Sequence, residues 1–218
     1  MIKLHVFPPS PRAFKVLSVA AHLEIPHRVC MVDLSKGDQN KPEFVALNLN
    51  KRMPVLEEDG FILWEANAIV QYLAMKRPES GLLPLDERAR ADVTRWQFWD
   101  LAHWDAPISS IIRERVVKPV LNLGTPDPAK IAEGEQDFHR AAAVLNEHLK
   151  GRSYICQTLT VADFCIGAPL NVSGLAGLPL DDYPEIRRWH AGLMQLPGWQ
   201  KALPPNPPTR AAQAGSTA

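Results

Sequence analysis

Three groups of residues in this chain carry chemistry that a small ligand can use. Ser10 stands between Pro9 and Pro11 and places a hydroxyl ahead of an amphipathic stretch. Arg52-Met53-Pro54-Val55-Leu56 sets a proline at the head of a short apolar run, and Glu65-Ala66-Asn67-Ala68-Ile69 sets a carboxylate before a second amphipathic stretch. A proline opening a strand lacks the N–H of a central ladder position. If the Met53-Pro54 bond is cis, the Met53 N–H and C=O face outward as a free edge that can pair with a peptide-like ligand. Local preference favours trans, since cis accounts for only about 5–6% of X-Pro bonds. Glu65 suits the positive end of a helix as a plain end charge. The N–H groups of residues 66 and 67 also suit an anionic ligand group, which leaves Glu65 for an ammonium. Helix capping alone accounts for Ser10. Its hydroxyl can equally donate to an anion, most usefully a thiolate, whose pKa it would lower. No GxSxG elbow surrounds Ser10, so a hydrolase triad lacks support. Arg12 reads as an exposed helix charge or as a source of positive field beside Ser10.

The elements that must position these groups follow from the pattern. Residues 2–7 read as a strand ended by Pro8 and Pro9. Phe14, Leu17, Ala20, Ala21 and Leu23 then mark a helix, with Ser10 at the N-cap and Pro11 at its first position. After Ile25-Pro26, residues 27–34 read as a second strand that buries Cys30, giving a strand–helix–strand unit with a parallel pair. A short helix near Glu43–Leu47 precedes Pro54. Residues 54–58 and 61–64 flank Asp59-Gly60, a hairpin signal, and residues 65–76 are helical. The segment 77–86 (RPESGLLPLD) reads as a linker. Beyond it only helical spacing remains, at 87–121, 128–149, 161–172 and 184–196. From Pro197 the Pro-rich end reads as largely unstructured.

Composition narrows the function class. Twenty-four Lys and Arg balance twenty-four Asp and Glu, so no basic surface argues for nucleic acid. Cys30, Cys156 and Cys165 are odd in number and lack metal spacing, which fits a reducing cytoplasm better than a disulfide framework. No apolar run approaches the roughly 18–20 residues that a membrane span needs. Within RWQFWDLAHW, Trp96, Trp99 and His103 share one helix face by their spacing, with Trp104 next to His103. That group reads either as core and subunit contact or as the wall of an apolar pocket. His103 has no partner at metal spacing, so no metal site is expected.

Taken in order, these segments resemble the cytosolic glutathione transferases, nearest the serine-type theta- and phi-like bacterial branches. The likeness runs over about residues 1–200. Ser10-Pro-Arg-Ala-Phe-Lys-Val16 is similar to the S-x5-V segment that bears the family's serine. NLNKRMPVL is similar to N-P-x-G-K-V-P-x-L, EANAI to E-S-x-A-I, and Thr160-Val-Ala-Asp163 to the buried T-x-A-D capping box. The resemblance implies a thioredoxin-like α/β N-terminal domain (1–76), a linker (77–86), an all-α C-terminal domain (87–203) with a hydrophobic-substrate pocket, and a disordered tail (204–218).

It also implies glutathione as co-substrate with no other cofactor, a small hydrophobic electrophile, no nucleic acid or membrane, and a homodimer. In that dimer the edge near Glu65–Gln71 would meet the partner's helix at 86–101. Ser10 would stabilise the thiolate, Met53 beside Pro54 would pair with the cysteinyl unit, and Glu65 with Ala66 would hold the γ-glutamyl end. Gln39 and Arg52 would face the glycine carboxylate, and Arg12, Trp99, His103 and Trp104 would line the second-substrate pocket. Departures from the pattern are Ala66 for serine, Lys51 for glycine, Leu49 for proline, and Gln157-Thr158 where a glycine precedes the capping box. Losing the serine hydroxyl removes a bond worth about 1.5–3 kcal/mol, or roughly ten- to a hundredfold in affinity. A glutathione-dependent peroxidase or reductase, or a weakly catalytic ligand-binding protein on this fold, are the alternative readings. A thioredoxin-like redox protein would need a cysteine near residue 10, and none is there.

Overall fold

In β1 (Ile2–Val6) buried and half-buried side chains alternate, as a strand with two unlike faces requires. Ile2, Leu4 and Val6 face the main core, while Lys3 and His5 face the other side and reach Glu57 at 2.8 and 3.2 Å. The computed structural model describes residues 1–204. After β1 the chain forms α1 (Pro11–His22), β2 (His27–Met31), two 3-10 turns, and the short α2 (Pro42–Val45). It then forms β3 (Val55–Glu58), β4 (Phe61–Trp64) and α3 (Ala66–Met75). The sheet order is β2-β1-β3-β4, with β1 and β2 parallel and the other pairs antiparallel. Asp59 and Gly60 both take positive φ in the β3–β4 turn, as a tight two-residue hairpin demands. On one sheet face lie α1 and α3. On the other, Phe44 of α2 packs with Val32 and Val55 in a small separate cluster.

The remainder is helical. A long bent helix is built from α4 (Glu87–Trp99), α5 (Asp105–Ile112) and α6 (Lys118–Val120), joined by π-turns at Asp100–Trp104 and Arg113–Val117. Then follow α7 (Pro128–His148), α8 (Val161–Gly167), a 3-10 turn, α9 (Ser173–Ala176), α10 (Pro184–Leu193) and α11 (Pro197–Ala202). Asp86 and Asp127 accept first-turn N–H groups of α4 and α7. Thr160 and Asp163 form the expected capping box on α8. Asp163 is fully buried and accepts from the backbone N–H groups of Ile155 and Thr160 and from Trp189 Nε1, at 2.8, 2.9 and 3.0 Å. Burial pushes its carboxyl up to about 6 against those bonds.

Several expectations change. β2 ends at Met31 rather than residue 34 because Asp33 caps the next 3-10 turn, accepting from Ser35 N–H. It is an edge strand, so Cys30 is half-buried rather than buried. The stretch from Pro197 is not a loose end: α11 packs on α1, where Trp199 is buried and meets Phe14 edge-on at 4.9 Å. The two helices come so close that a Cβ on Gly198 would lie 2.4 Å from His22 Cα. The unstructured end expected at 204–218 lies, from residue 205, outside the described residues.

Candidate active site

One row of the sheet gathers the candidate residues. His5 of β1 is opposite Val55 of β3, which is opposite Trp64 of β4. The loop after β1, the loop before β3 and the turn after β4 therefore leave from the same edge of the sheet. They carry Ser10, Met53-Pro54 and Glu65-Ala66. Val6 pairs with Met31, so the segment after β2, with Gln39, departs on that side too. Gln39 is half-buried with an unpartnered Oε1, and Arg52 is exposed with no ion pair among the described residues.

Each of these positions shows a group left uncommitted or a backbone held in an uncommon state. Ser10 occupies the N-cap of α1 at φ −74°, ψ 132°, yet its hydroxyl makes no capping bond. The backbone does the turn's work instead, with Ser10 N–H donating to Phe7 C=O at 2.8 Å. The Met53-Pro54 bond is cis, against the local preference for trans. Neither the N–H nor the C=O of Met53 is hydrogen-bonded among the described residues. Glu65, exposed, has φ 75° and ψ 114°, a conformation that costs a non-glycine residue of order 1–3 kcal/mol. It makes no side-chain cap, so the first N–H groups of α3 stay open. Lys51 sits at φ 55°, the left-handed region, where glycine is the unstrained choice. Ala66 is buried at the first position of α3 and offers no hydroxyl.

Behind this edge lies a buried polar seam that sequence reasoning missed. Lys15 of α1 is almost completely buried and donates to Asp100 at 2.6 Å, with Asp105 at 3.9 Å. Arg12 pairs with Asp105, which also accepts from the Ser109 hydroxyl at 3.3 Å. Asn67 of α3 donates to Asp100 at 3.0 Å and to Gln97 C=O at 3.1 Å, and Gln97 returns a bond to Asn67 C=O at 3.2 Å. Burial opposes the charge on Lys15, but Asp100 and Asp105 outweigh it and its pKa rises. Burial likewise opposes Arg12, where Asp105 and, more weakly, Glu65 hold the charge in place. Asp105 is held below the usual carboxylate range by Lys15 and Arg12 despite its burial. The helix that begins at Ser10 and the helix that begins after Glu65 are thus both pinned to the same helix of the second half. A lysine inside the apolar run AFKVLSVA, and two aspartates in an aromatic-rich helix, were the available signals.

The aromatic group behaves differently from its expected phase. A π-turn bonds i to i+5, so Trp104 comes under Trp99 and stacks on it at 5.9 Å with an interplanar angle of 23°. Trp104 is completely buried with its Nε1 donating to Ile166 C=O at 2.9 Å, so it is core and not a pocket wall. Trp99 is half-buried against the same core, and His103 is exposed, 6.4 Å from the Trp99 ring. Arg12 is the member of the expected pocket set that the structure brings beside Ser10. Burial pushes Cys156 and Cys165 up to about 12, so neither is a thiolate at neutral pH. Hollows of about 260 Å³ beside His190 and about 400 Å³ between Phe44 and Glu57 are not lined by Ser10, Met53 or Glu65. Among the described residues, no three or more His, Cys, Asp or Glu side chains are grouped to hold a metal, and no helix is long and apolar enough to cross a membrane.

Comparisons with known proteins agree with this fold. The family described as "Glutathione S-transferase, N-terminal domain" matches residues 1–75. Glutathione S-transferase hmp2 of Hypomyces subiculosus is 31% identical over 196 residues, which span 86% of this chain and 92% of that protein. A possible glutathione S-transferase of Rhodopseudomonas palustris superposes with a TM-score of 0.78 at 27% identity, over 90% of this chain and 95% of that one. A Pseudomonas fluorescens glutathione transferase family member, solved with two glutathione bound, superposes at 0.79 and 23% identity over 92% and 91%.

Proposed function

The chain belongs to the glutathione S-transferase family, and from that premise we propose that Ser10 activates the glutathione thiol for attack on a small hydrophobic electrophile. We assign the chain to the serine-type, theta- and phi-like bacterial branch, with the division between two domains at 77–86. The observation that carries the reading is the single sheet edge from which Ser10, Met53-Pro54 and Glu65-Ala66 all depart. The free Met53 backbone would pair with the cysteinyl unit. Glu65 would take the γ-glutamyl ammonium, and the open N–H groups of α3 beginning at Ala66 its carboxylate. Gln39 and Arg52 would meet the glycine carboxylate.

The Ser10 hydroxyl, unspent on capping, donates to the sulfur. A bond to a charged acceptor is worth about 1.5–3 kcal/mol, which lowers a free thiol of pKa about 8.5 by roughly one to two units. The ionised fraction at pH 7 then rises from a few per cent to about half. The thiol proton leaves to solvent, the C–S bond forms and the leaving group departs with its electron pair. In Ser10→Ala the apparent pKa of bound glutathione, read by ultraviolet titration of the thiolate, should rise by about one to two units, and kcat/KM should fall about ten- to a hundredfold with the KM for glutathione nearly unchanged. Unaltered turnover and titration in Ser10→Ala would remove Ser10 from the mechanism.

Ala66 and Lys51 favour one second reading, a ligand carrier with weak catalysis, because they weaken the γ-glutamyl grip and strain the loop before Pro54. We further propose a homodimer in which the edge near Glu65–Gln71 meets the partner's α4 helix. Its support is the exposed apolar set Leu49, Trp64, Phe98 and Leu101. Sedimentation velocity at micromolar concentration should give a single species of twice the chain mass, and a monomer there would refute the pairing.

A further inference from the structure

The flank of α5 that faces Ser10's helix leads to a cation that makes no ion pair among the described residues. Asp105, Ser109 and Arg113 are spaced by four, so they follow one flank of the helix and turn outward by about 40° at each step. The flank faces α1 at its near end, because Arg12 and Ser109 meet on the same Asp105 oxygen. Exposure rises along it: Asp105 is buried, Ser109 half-buried and Arg113 exposed. The neighbours of Arg113 are committed elsewhere. Glu114 is buried against Lys118 at 2.5 Å and accepts Asp127 N–H at 2.8 Å. Arg115 holds Glu135 at 2.6 Å and the carbonyls of Ala176 and Gly177. Arg113 has no ion pair among the described residues. Nearer Ser10, Lys15 and Arg12 are matched by Asp100 and Asp105, so the charge of Arg113 is the one left uncompensated on this wall. The residues around it, Ala106 and Ser110, are small and partly or fully open to solvent.

Resting on the transferase reading above, we infer that Arg113 selects electrophiles carrying an anionic group, a carboxylate or sulfonate, at the end remote from the reacting carbon. Eight residues of helix separate Arg113 from Asp105, about 12 Å along the axis, and Arg12 ties Asp105 to the start of α1 beside Ser10. An arginine side chain that reaches back toward Ser109 and one aromatic ring bearing the anion together cover a length of that order. The guanidinium fork meets such an oxyanion with two parallel bonds, which a neutral isostere cannot accept with equal strength. Arg113 is therefore a specificity residue and leaves the thiolate chemistry itself to Ser10.

The test pairs 4-chloro-3-nitrobenzoate with its neutral counterpart 4-chloro-3-nitrobenzamide. In both, the glutathione thiolate forms the C–S bond and chloride leaves with the C–Cl electron pair. Intrinsic reactivity cancels when the kcat/KM ratio of the two is compared between proteins. Arg113→Gln should lower that ratio about ten- to a hundredfold, leave the benzamide within about twofold, and Arg113→Lys should recover part of the loss. An unchanged ratio, or an equal fall for both substrates, would overturn the assignment. The two preformed S-aryl glutathione conjugates, titrated by calorimetry, keep the question open to measurement without turnover. Wild type should bind the carboxylate conjugate more tightly and Arg113→Gln should lose the preference, while equal binding in wild type would also overturn it. Failure of wild type to turn over either chloride, with the conjugate preference intact, would count against the transferase reading and not against Arg113.

Discussion

The sheet edge and the seam behind it are built from the same kinds of residue and treat them in opposite ways. At the edge, Ser10's hydroxyl is unspent, Met53's backbone is unpaired, and Glu65 and Lys51 hold left-handed backbone. In the seam, Lys15, Asp100, Asp105 and Asn67 are withdrawn from water and bonded to one another, with one oxygen each of Asp100 and Asn67 left over. Strained backbone costs stability, so an edge where Glu65 and Lys51 both hold it beside uncommitted polar groups has another reason to exist. The seam shows what fixes that edge in place. Helices α1 and α3 can present their first turns steadily because their next turns are fastened to α4 and α5.

The largest expected effect comes from cutting the seam. Lys15→Met leaves Asp100, whose carboxyl burial already pushes upward, without its partner, a loss of about 3–5 kcal/mol. In a chain of this size that lowers Tm by roughly 10 °C. Adding Asp100→Leu should recover much of the loss, because replacing both members of a buried pair with apolar groups is often neutral. A single mutant within about 1 kcal/mol of wild type in urea unfolding would erase the contrast between the two regions. The smaller effect comes from completing the edge. Ala66→Ser restores a hydroxyl at the first position of α3 and should tighten glutathione about tenfold in calorimetry, with urea stability little changed. Unimproved binding would show that the backbone N–H groups of α3 already satisfy the ligand, or that its carboxylate sits elsewhere.

Much of the fold was legible because the signals are local. Asp59-Gly60 with alternating neighbours gives the hairpin, Ser10-Pro11 the start of α1, and Thr160 with Asp163 the start of α8. The site was legible in part, through three short segments that only their order made specific. What escaped depended on partners distant in sequence. Lys15 and Asp100 are 85 residues apart, and a lone lysine among apolar residues reads as a break in the pattern until its carboxylate is found. The cis form of Met53-Pro54 runs against local preference, so residues 53 and 54 alone point to trans. Helix α11 reads as a loose end in the sequence because the prolines that follow it outweigh Trp199, although a proline at a first helical position and a tryptophan two residues on are equally the marks of a docked helix.

The π-turn at Asp100–Trp104 gives the second half of the chain a property that ordinary helices lack. One residue there is in excess of the α-helical repeat, so its deletion would close the helix without breaking it. Everything downstream would then be rotated by about 100°, carrying Asp105, Ser109 and Arg113 away from Arg12 in one step. A point substitution alters one side chain on this wall, whereas a single codon lost from that turn would exchange the whole wall for another. The turn is therefore a hinge on the scale of descent rather than of motion. Such a deletion would leave the sheet and its loops untouched while turning a different helix face toward α1.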